Sequence, residues 1–261
     1  MGKVIIQDFT TKNPISMIGV EAGVCWGADT SNQEKNYKRG MGCLASGHGR
    51  TFEFPDVYMI LDGYSARVIR EFYTHIGGSP TRLQASTRYI DYESGFDAIY
   101  PNSIKNCKDN DAWEAYIDGL KAIGNSLKTL DACGIPKEDS ANLLPLGMTT
   151  KIVVKINART LMDMSRQRMC SRAYWEFREL FKDICGSLSA YSEEWKTLIT
   201  NHFMAKCDVC GFCTEEKSCG RRPSKEEFYK IYNFGKKIFD AIEHSGYKNA
   251  SAEDIIDALK L

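Results

Sequence analysis

The run Asn157-Ala-Arg-Thr-Leu-Met-Asp-Met-Ser-Arg-Gln-Arg168 gathers Arg159, Asp163, Arg166 and Arg168, with Arg172 just beyond. Guanidinium forks bind phosphate and carboxylate in two-point contacts, so this density past a strand end points to an anionic ligand. For any single one of these arginines a solvated helix face is the better account. A second stretch runs from Thr74-His75-Ile76-Gly-Gly-Ser79-Pro through Arg82 and Gln84 to Ser86-Thr87-Arg88-Tyr89. Exposed N–H groups, hydroxyls and arginines of this kind can cradle a phosphate, although many such stretches are only loops. A third, Gly47-His48-Gly-Arg50-Thr-Phe-Glu53, offers a histidine that reads either as a binding group or as a satisfied turn residue. Near the C-terminal end, Cys207, Cys210, Cys213 and Cys219 follow a C-x2-C-x2-C-x5-C spacing. Thiolates suit zinc or an iron–sulfur cluster, yet the spacing fits neither a paired zinc site nor a ferredoxin run. Reduced or disulfide-paired thiols are the competing reading. None of His48, His75, His202 and His244 adjoins a Cys or Ser elbow, so no strong nucleophile constellation is present in the sequence.

The elements that must position these groups follow from periodicity. The β-branched run Thr149 to Ile156 predicts a strand, and Asn157 and Thr160 supply N-cap chemistry where the period changes from two to 3.6. Met162, Met169, Ala173, Phe177 and Leu180 then recur at helical spacing and predict one long central helix. Before it, strands are expected at Lys3 to Ile6 and on to Thr10, and at Val57 to Leu61, with helices at Ile18 to Trp26, Tyr37 to Ser46 and Ser65 to Tyr73. The segment Ala112 to Cys133 has an amphipathic stripe through Trp113, Tyr116, Ile117, Leu120, Ile123 and Leu127, and Gly134-Ile-Pro136 stops it. A short helix is expected from Lys137 to Leu144, another from Tyr191 to His202, and two amphipathic helices from Ser224 to Leu261.

The 261 residues suffice for a full hydrophobic core. Lys plus Arg equals Asp plus Glu at 34 each, so no net field favours nucleic acid or an anionic membrane surface. No apolar run reaches membrane-spanning length and no signal-peptide pattern opens the chain, so a cytoplasmic location is expected. In that compartment the ten cysteines read as small buried hydrophobes, the cluster of four apart.

The unbroken run from Leu144-Pro-Leu through Asn157-Ala-Arg-Thr-Leu-Met and Arg168 to Trp175-Glu176 resembles the signature of the flavin-dependent thymidylate synthases. The resemblance extends over roughly Ile18 to Glu179, and Cys25-Trp26-Gly27 echoes a further family stretch. His75, Ser86, Arg88 and Tyr89 keep the family's hallmark of a His followed by Ser-x-Arg-Tyr, and Gly47-His48 with Phe52-Glu53 keeps another. The resemblance implies an α+β fold, with a mixed sheet flanked by helices. It also implies a catalytic domain over 1–205, and 206–261 as a Cys-containing loop and helical extension. The implied reaction converts dUMP to dTMP, with FAD as cofactor, methylenetetrahydrofolate as carbon donor and NADPH as reductant. By position, His48, Arg50, Glu53, Thr74, His75, Ile76, Asn157, Arg159 and Asp163 fall at the flavin. Arg70, Glu71, Gln84, Ser86, Thr87, Arg88 and Arg168 fall at dUMP, with Arg168 polarising the uracil. A homotetramer with active sites shared between subunits is implied as well.

This chain departs from the pattern at several points. Thr74 and Ile76 replace the two arginines that flank the family histidine, and the loop from His75 to Ser86 is longer than the family spacing. Gln84 stands where Glu is common, Asp163 where an amide is common, and Ala141 where an arginine binds the nucleotide's phosphate. Arg82 is the candidate for restoring charge beside His75, and Arg88, Arg82 and Arg70 are candidates for the phosphate. Two other readings compete: a flavin-dependent C5-modifier of another pyrimidine nucleotide, and a non-catalytic nucleotide-binding homologue with the cysteines as a zinc module.

Overall fold

The computed structural model describes residues 2–245 except 93, with only the backbone for 238–245. The second of the two expected C-terminal helices lies outside the described residues. In chain order the strands are β1 (Lys3–Ile6), β2 (Asp56–Ser65), β3 (Thr81–Gln84) and β4 (Thr149–Asn157). The helices are α1 (Pro14–Cys25), α2 (Gln33–Ala45), α3 (Ala66–Tyr73), α4 (Asn102–Lys105), α5 (Asn110–Ala132), α6 (Lys137–Ser140), α7 (Ala158–Arg168), α8 (Trp175–Tyr191), α9 (Glu193–His202), α10 (Lys206–Cys210) and α11 (Lys225–Ser245).

The fold is α+β, as expected, but the sheet is antiparallel throughout rather than mixed, in the order β1-β2-β4-β3. Strict alternation in β4 places Ile152, Val154 and Ile156 in the core and Lys151, Val153 and Lys155 in the open. The register sets Leu61 against Ile152, Met59 against Val154 and Val57 against Ile156, so both central strands contribute to one inner face. That face packs with Phe72 of α3, Leu161 of α7, and Phe177, Leu180 and Phe181 of α8, all fully buried. Helices α1 and α2 cross very closely, because a Cβ at Gly19 would lie 1.8 Å from the Asn36 carbonyl oxygen and one at Gly40 2.0 Å from that of Ile15.

Three sequence expectations need correction. The central helix is two helices, broken across 169–174: the Met169 N–H bonds back to Ser165, and Tyr174 turns extended ahead of Trp175. No Gly or Pro marks this break, so periodicity could not register it. The Gly-Gly-Ser-Pro stretch leads into strand β3 rather than a continuous loop. Of the ten cysteines only Cys43 and Cys185 are buried.

Candidate active site

Helix α3 begins at Ser65, whose Oγ accepts the Val68 N–H at 3.1 Å while donating to Glu176 Oε2 at 2.5 Å. Glu176 Oε1 also accepts the Ser65 N–H at 2.7 Å, and its side chain is almost wholly buried. This carboxylate fastens α8 to the start of α3, and α3 delivers Glu71 and then His75. Helix α7 begins at Asn157, whose Oδ1 accepts the Thr160 N–H at 2.8 Å. Thr160 donates its hydroxyl toward the Gly77 carbonyl at 2.7 Å and so ties the Gly-Gly turn to the α7 N-terminus. Gly78 sits at φ +68, where a Cβ would lie 2.5 Å from Thr160 Oγ1 and 2.6 Å from Asn157 Nδ2. Only glycine fits both the conformation and the space.

The last turn of α7 brings Arg168 back to α3. Its Nε donates to His75 Nε2 at 2.8 Å and its Nη1 to Glu71 Oε2 at 3.0 Å. The guanidinium lies 4.4 Å from the Phe177 ring centroid, an attractive cation–π geometry. Because Nε2 accepts this bond, His75 is neutral with its proton on Nδ1. Burial, and then the neighbouring charges of Arg168 and Arg82, push its pKa down to about 4. Arg82 is on the inner face of β3 opposite Val154, so its guanidinium reaches the His75 carbonyl and packs on the Phe72 and Tyr73 rings. It restores positive charge beside His75, as expected, but spends donors on the backbone; burial lowers its pKa.

A cleft of about 550 Å³ opens between the Gly-Gly turn and α7. Glu53, Thr74, His75, Ile76, Asn157, Arg159 and Asp163 line it, as do Gly77, Gly78, Thr160, Met164 and Gln167, which the sequence reading did not assign to a ligand. Gln167 carries no motif signal; Gly77 and Gly78 were visible as a turn. Arg159 pairs with Glu53 at 2.8 Å, and Asp163 pairs with Arg166 at 3.1 Å, so the carboxylate that would repel a phosphate is balanced. The other two residues assigned to the flavin, His48 and Arg50, line a separate cleft of about 420 Å³ with Trp26 and Cys25.

The residues assigned to dUMP are dispersed more widely. Glu71 and Arg168 are together, but Arg70, Gln84, Ser86, Thr87 and Arg88 line neither cleft that Arg168 or His75 borders. Gln84 Nε2 reaches Thr150 Oγ1 at 3.4 Å, and Arg88 pairs with Glu138 at 2.8 Å on an exposed surface. Ser86, Thr87 and Arg88 follow β3, the edge strand of the sheet, whereas Arg70 lies on α3 beside Glu71. The cysteine reading is not supported in its metal form. Among the described residues no three His, Cys, Asp or Glu side chains gather to hold a metal ion, and Cys210 turns aside toward the Lys206 carbonyl.

The family model described as "Thymidylate synthase complementing protein" matches residues 8–191. The flavin-dependent thymidylate synthase of Nitratidesulfovibrio vulgaris is 28% identical over 191 residues, 70% of this chain and 75% of that protein. Among solved structures, flavin-dependent thymidylate synthase ThyX from Helicobacter pylori, complexed with FAD and dUMP, aligns with a TM-score of 0.58 at 16% identity. That alignment covers 75% of this chain and 98% of the other. The UMP/dUMP methylase PolB from Streptomyces cacaoi, bound with 5-Br dUMP, aligns at 0.62 and 13% identity over 78% and 96% of the two chains. At these identities the two structural likenesses speak for the fold, while the family match covers well over half of the chain. The chain therefore belongs to the family of flavin-dependent thymidylate synthases.

Proposed function

We propose that the protein is an FAD-dependent thymidylate synthase that converts dUMP to dTMP, taking a one-carbon unit from methylenetetrahydrofolate and reducing power from NADPH. The observation that carries this reading is Arg168, fixed by His75 and Glu71 beside a cleft lined by seven of the nine residues assigned to the flavin. The cleft offers a flavin nucleotide the N-terminus of α7 and the guanidinium of Arg159, which Glu53 and Asp163 share. Glu53, His75, Asn157 and Arg159 would hold the group there, with His48 and Arg50 on its neighbouring side. When bound, the flavin supplies hydride equivalents.

The chain's own part is electrostatic. Pyrimidine C5 becomes nucleophilic as negative charge gathers on the N3–C2=O side of the ring, and a fixed guanidinium stabilises that charge. Arg168 spends two N–H donors on His75 and Glu71 and keeps others for the uracil edge. Neutral His75 takes no share of the Arg168 charge, which Glu71 alone balances in part. Ser86, Thr87, Arg88, Gln84 and Arg70, which line neither cleft bordered by His75 or Arg168 in one chain, are assigned to a nucleotide bound across a subunit boundary, in a homotetramer. A second reading, C5 modification of another pyrimidine nucleotide such as UMP, is favoured by Ala141, Thr74 and Ile76, which replace family arginines.

The test is anaerobic turnover of FAD-loaded protein with methylenetetrahydrofolate and NADPH, offering dUMP and UMP in parallel and weighing the nucleotide by mass spectrometry. Formation of dTMP that is lost in Arg168→Ala is the expected result. Flavin oxidation without a methylated nucleotide from dUMP would falsify the thymidylate reading, and a product from UMP would establish the second.

A further inference from the structure

Four thiols line one cavity of about 510 Å³, which adjoins the flavin cleft across Gln167. They come from two stretches distant in the chain. Cys170 stands in the break between α7 and α8, just past Arg168. Cys207, Cys213 and Cys219 belong to the segment after residue 205, beyond the family match at 8–191. All four are free thiols, with Cys219 exposed and Cys170 half-buried. Arg172 joins the two stretches: it donates to the Lys217 carbonyl at 2.8 Å, and its Nε lies 3.8 Å from Glu215. An exposed ion pair of this kind holds only weakly, so a covalent bond at the same junction would dominate it. Cys219 meets the junction at Ser171, the neighbour of Cys170. The Ser171 hydroxyl, then the Arg221 backbone and the charge of Arg172, lower the Cys219 pKa. An exposed thiol with a stabilised thiolate is the attacking partner in thiol–disulfide exchange. Cys170, next to that hydrogen bond and lining the same cavity, stands where a resolving thiol is needed.

We propose that Cys219 is a thiol-modification site whose adduct Cys170 resolves, closing a disulfide between the C-terminal segment and the α7–α8 break that slows the enzyme. The oxidant is a low-molecular-weight disulfide. The Cys219 thiolate attacks one of its sulfurs and releases the other half as a thiolate, leaving a mixed disulfide on the protein. Cys170 then loses its proton and attacks the Cys219 sulfur, displacing the second half. Two electrons pass from the protein thiols to the reagent, which leaves as two thiols. The new bond sets the two Cα atoms about 4.4–6.8 Å apart, a constraint imposed beside Arg168. In the free-thiol form Arg168 meets both His75 and Glu71, so the reduced enzyme is the organised one and closure acts against it. The effect on turnover rests on the reaction proposed above; the pairing of the two cysteines does not.

In the test, full-length FAD-loaded protein is reduced, freed of reductant and treated with oxidised glutathione. It is then mapped by mass spectrometry without reduction and assayed for turnover. The expected result is a Cys170–Cys219 linked peptide pair, dUMP turnover about ten-fold lower, and reversal of both by dithiothreitol. Cys170→Ser should stop at a glutathione adduct on Cys219. Cys219→Ser should gain neither adduct nor link, and should keep its turnover under the oxidant. Cys25, Cys107 and Cys133, exposed but away from the cavity, measure indiscriminate modification. If Cys219 reacts no faster than these three, or links to a cysteine other than Cys170, the pairing is overturned whatever reaction the enzyme performs. A link that forms with turnover unchanged overturns the switch. A link in a protein that makes no dTMP even when reduced supports the pairing and counts against the thymidylate reading instead.

Discussion

Arg168 is held from two directions before any ligand arrives, and this makes it the most informative single position. Removing a preorganised donor of this kind costs about 10² to 10³ in rate, so Arg168→Ala should lower kcat by that amount with flavin content unchanged. Arg168→Lys keeps the charge but not the fork that meets His75 and Glu71 together, and should recover little of the loss. His75 carries a pH signature. Its pKa falls from 6.5 to about 4, so between those values the unfolded chain binds a proton that the folded chain refuses. Its contribution to stability is therefore complete above about pH 6.5 and is lost as pH falls toward 4. Urea unfolding at pH 7 and pH 5 should show this slope in the wild type and a shallower one in His75→Gln. A titration placing the His75 pKa near 6.5 would remove the argument.

At the level of elements, the site depends on where α3 and α7 begin. The Glu176 carboxylate takes both polar groups of Ser65, and without it two buried donors at the head of α3 are orphaned. Glu176→Ala should cost roughly 3 kcal/mol by chemical denaturation, and Glu176→Gln, which keeps an acceptor, less. Both should also loosen Glu71 and His75, raising KM for the nucleotide beyond any loss of folded protein. Gly78→Ala tests the other junction. A left-handed backbone and contacts of 2.5–2.6 Å oppose the new methyl. Weakened FAD retention, with a smaller change in melting temperature than Glu176→Ala gives, is the expected outcome. The Trp-Glu pair was legible in the sequence only as a family mark; its role as a fastener for α3 emerged when α8 was seen against β2.

On the scale of the whole molecule, the open face of the sheet is apolar along one row. Register aligns Ile5 with Ile60, Ile60 with Val153 and Val153 with Leu83, and Ile5, Val153 and Leu83 are 41%, 39% and 72% exposed. Strand β3 even turns Arg82 inward and Leu83 outward, the reverse of ordinary burial. Helix α5 shows the same pattern: of its long apolar stripe only Leu127 is fully buried. Exposed apolar rows of this extent mark contact surfaces, in keeping with the proposed homotetramer. Leu83→Glu should shift the protein to a smaller species in light scattering, with far-UV circular dichroism retained and turnover lost. A wild-type protein that is monomeric throughout its working concentration range would sink the shared-site proposal.

Local rules were enough to read the Asn157 cap, the β4 alternation and the stop at Gly134. Each of these depends on neighbours within a turn or a pleat. The bond between His75 and Arg168 was not legible at all, because nothing local links residues so far apart in the chain. Only the tertiary structure decided that α7 and α8 are separate helices, that His48 and Arg50 face a different cleft from Glu53, and that Arg82 points inward. These outcomes are set by strand register and helix packing, which join distant segments and override local preference. The cysteine segment illustrates the same limit. Its spacing is a local fact, whereas the cavity that Cys207, Cys213 and Cys219 line together with Arg166 and Arg168 arises only when two distant stretches meet.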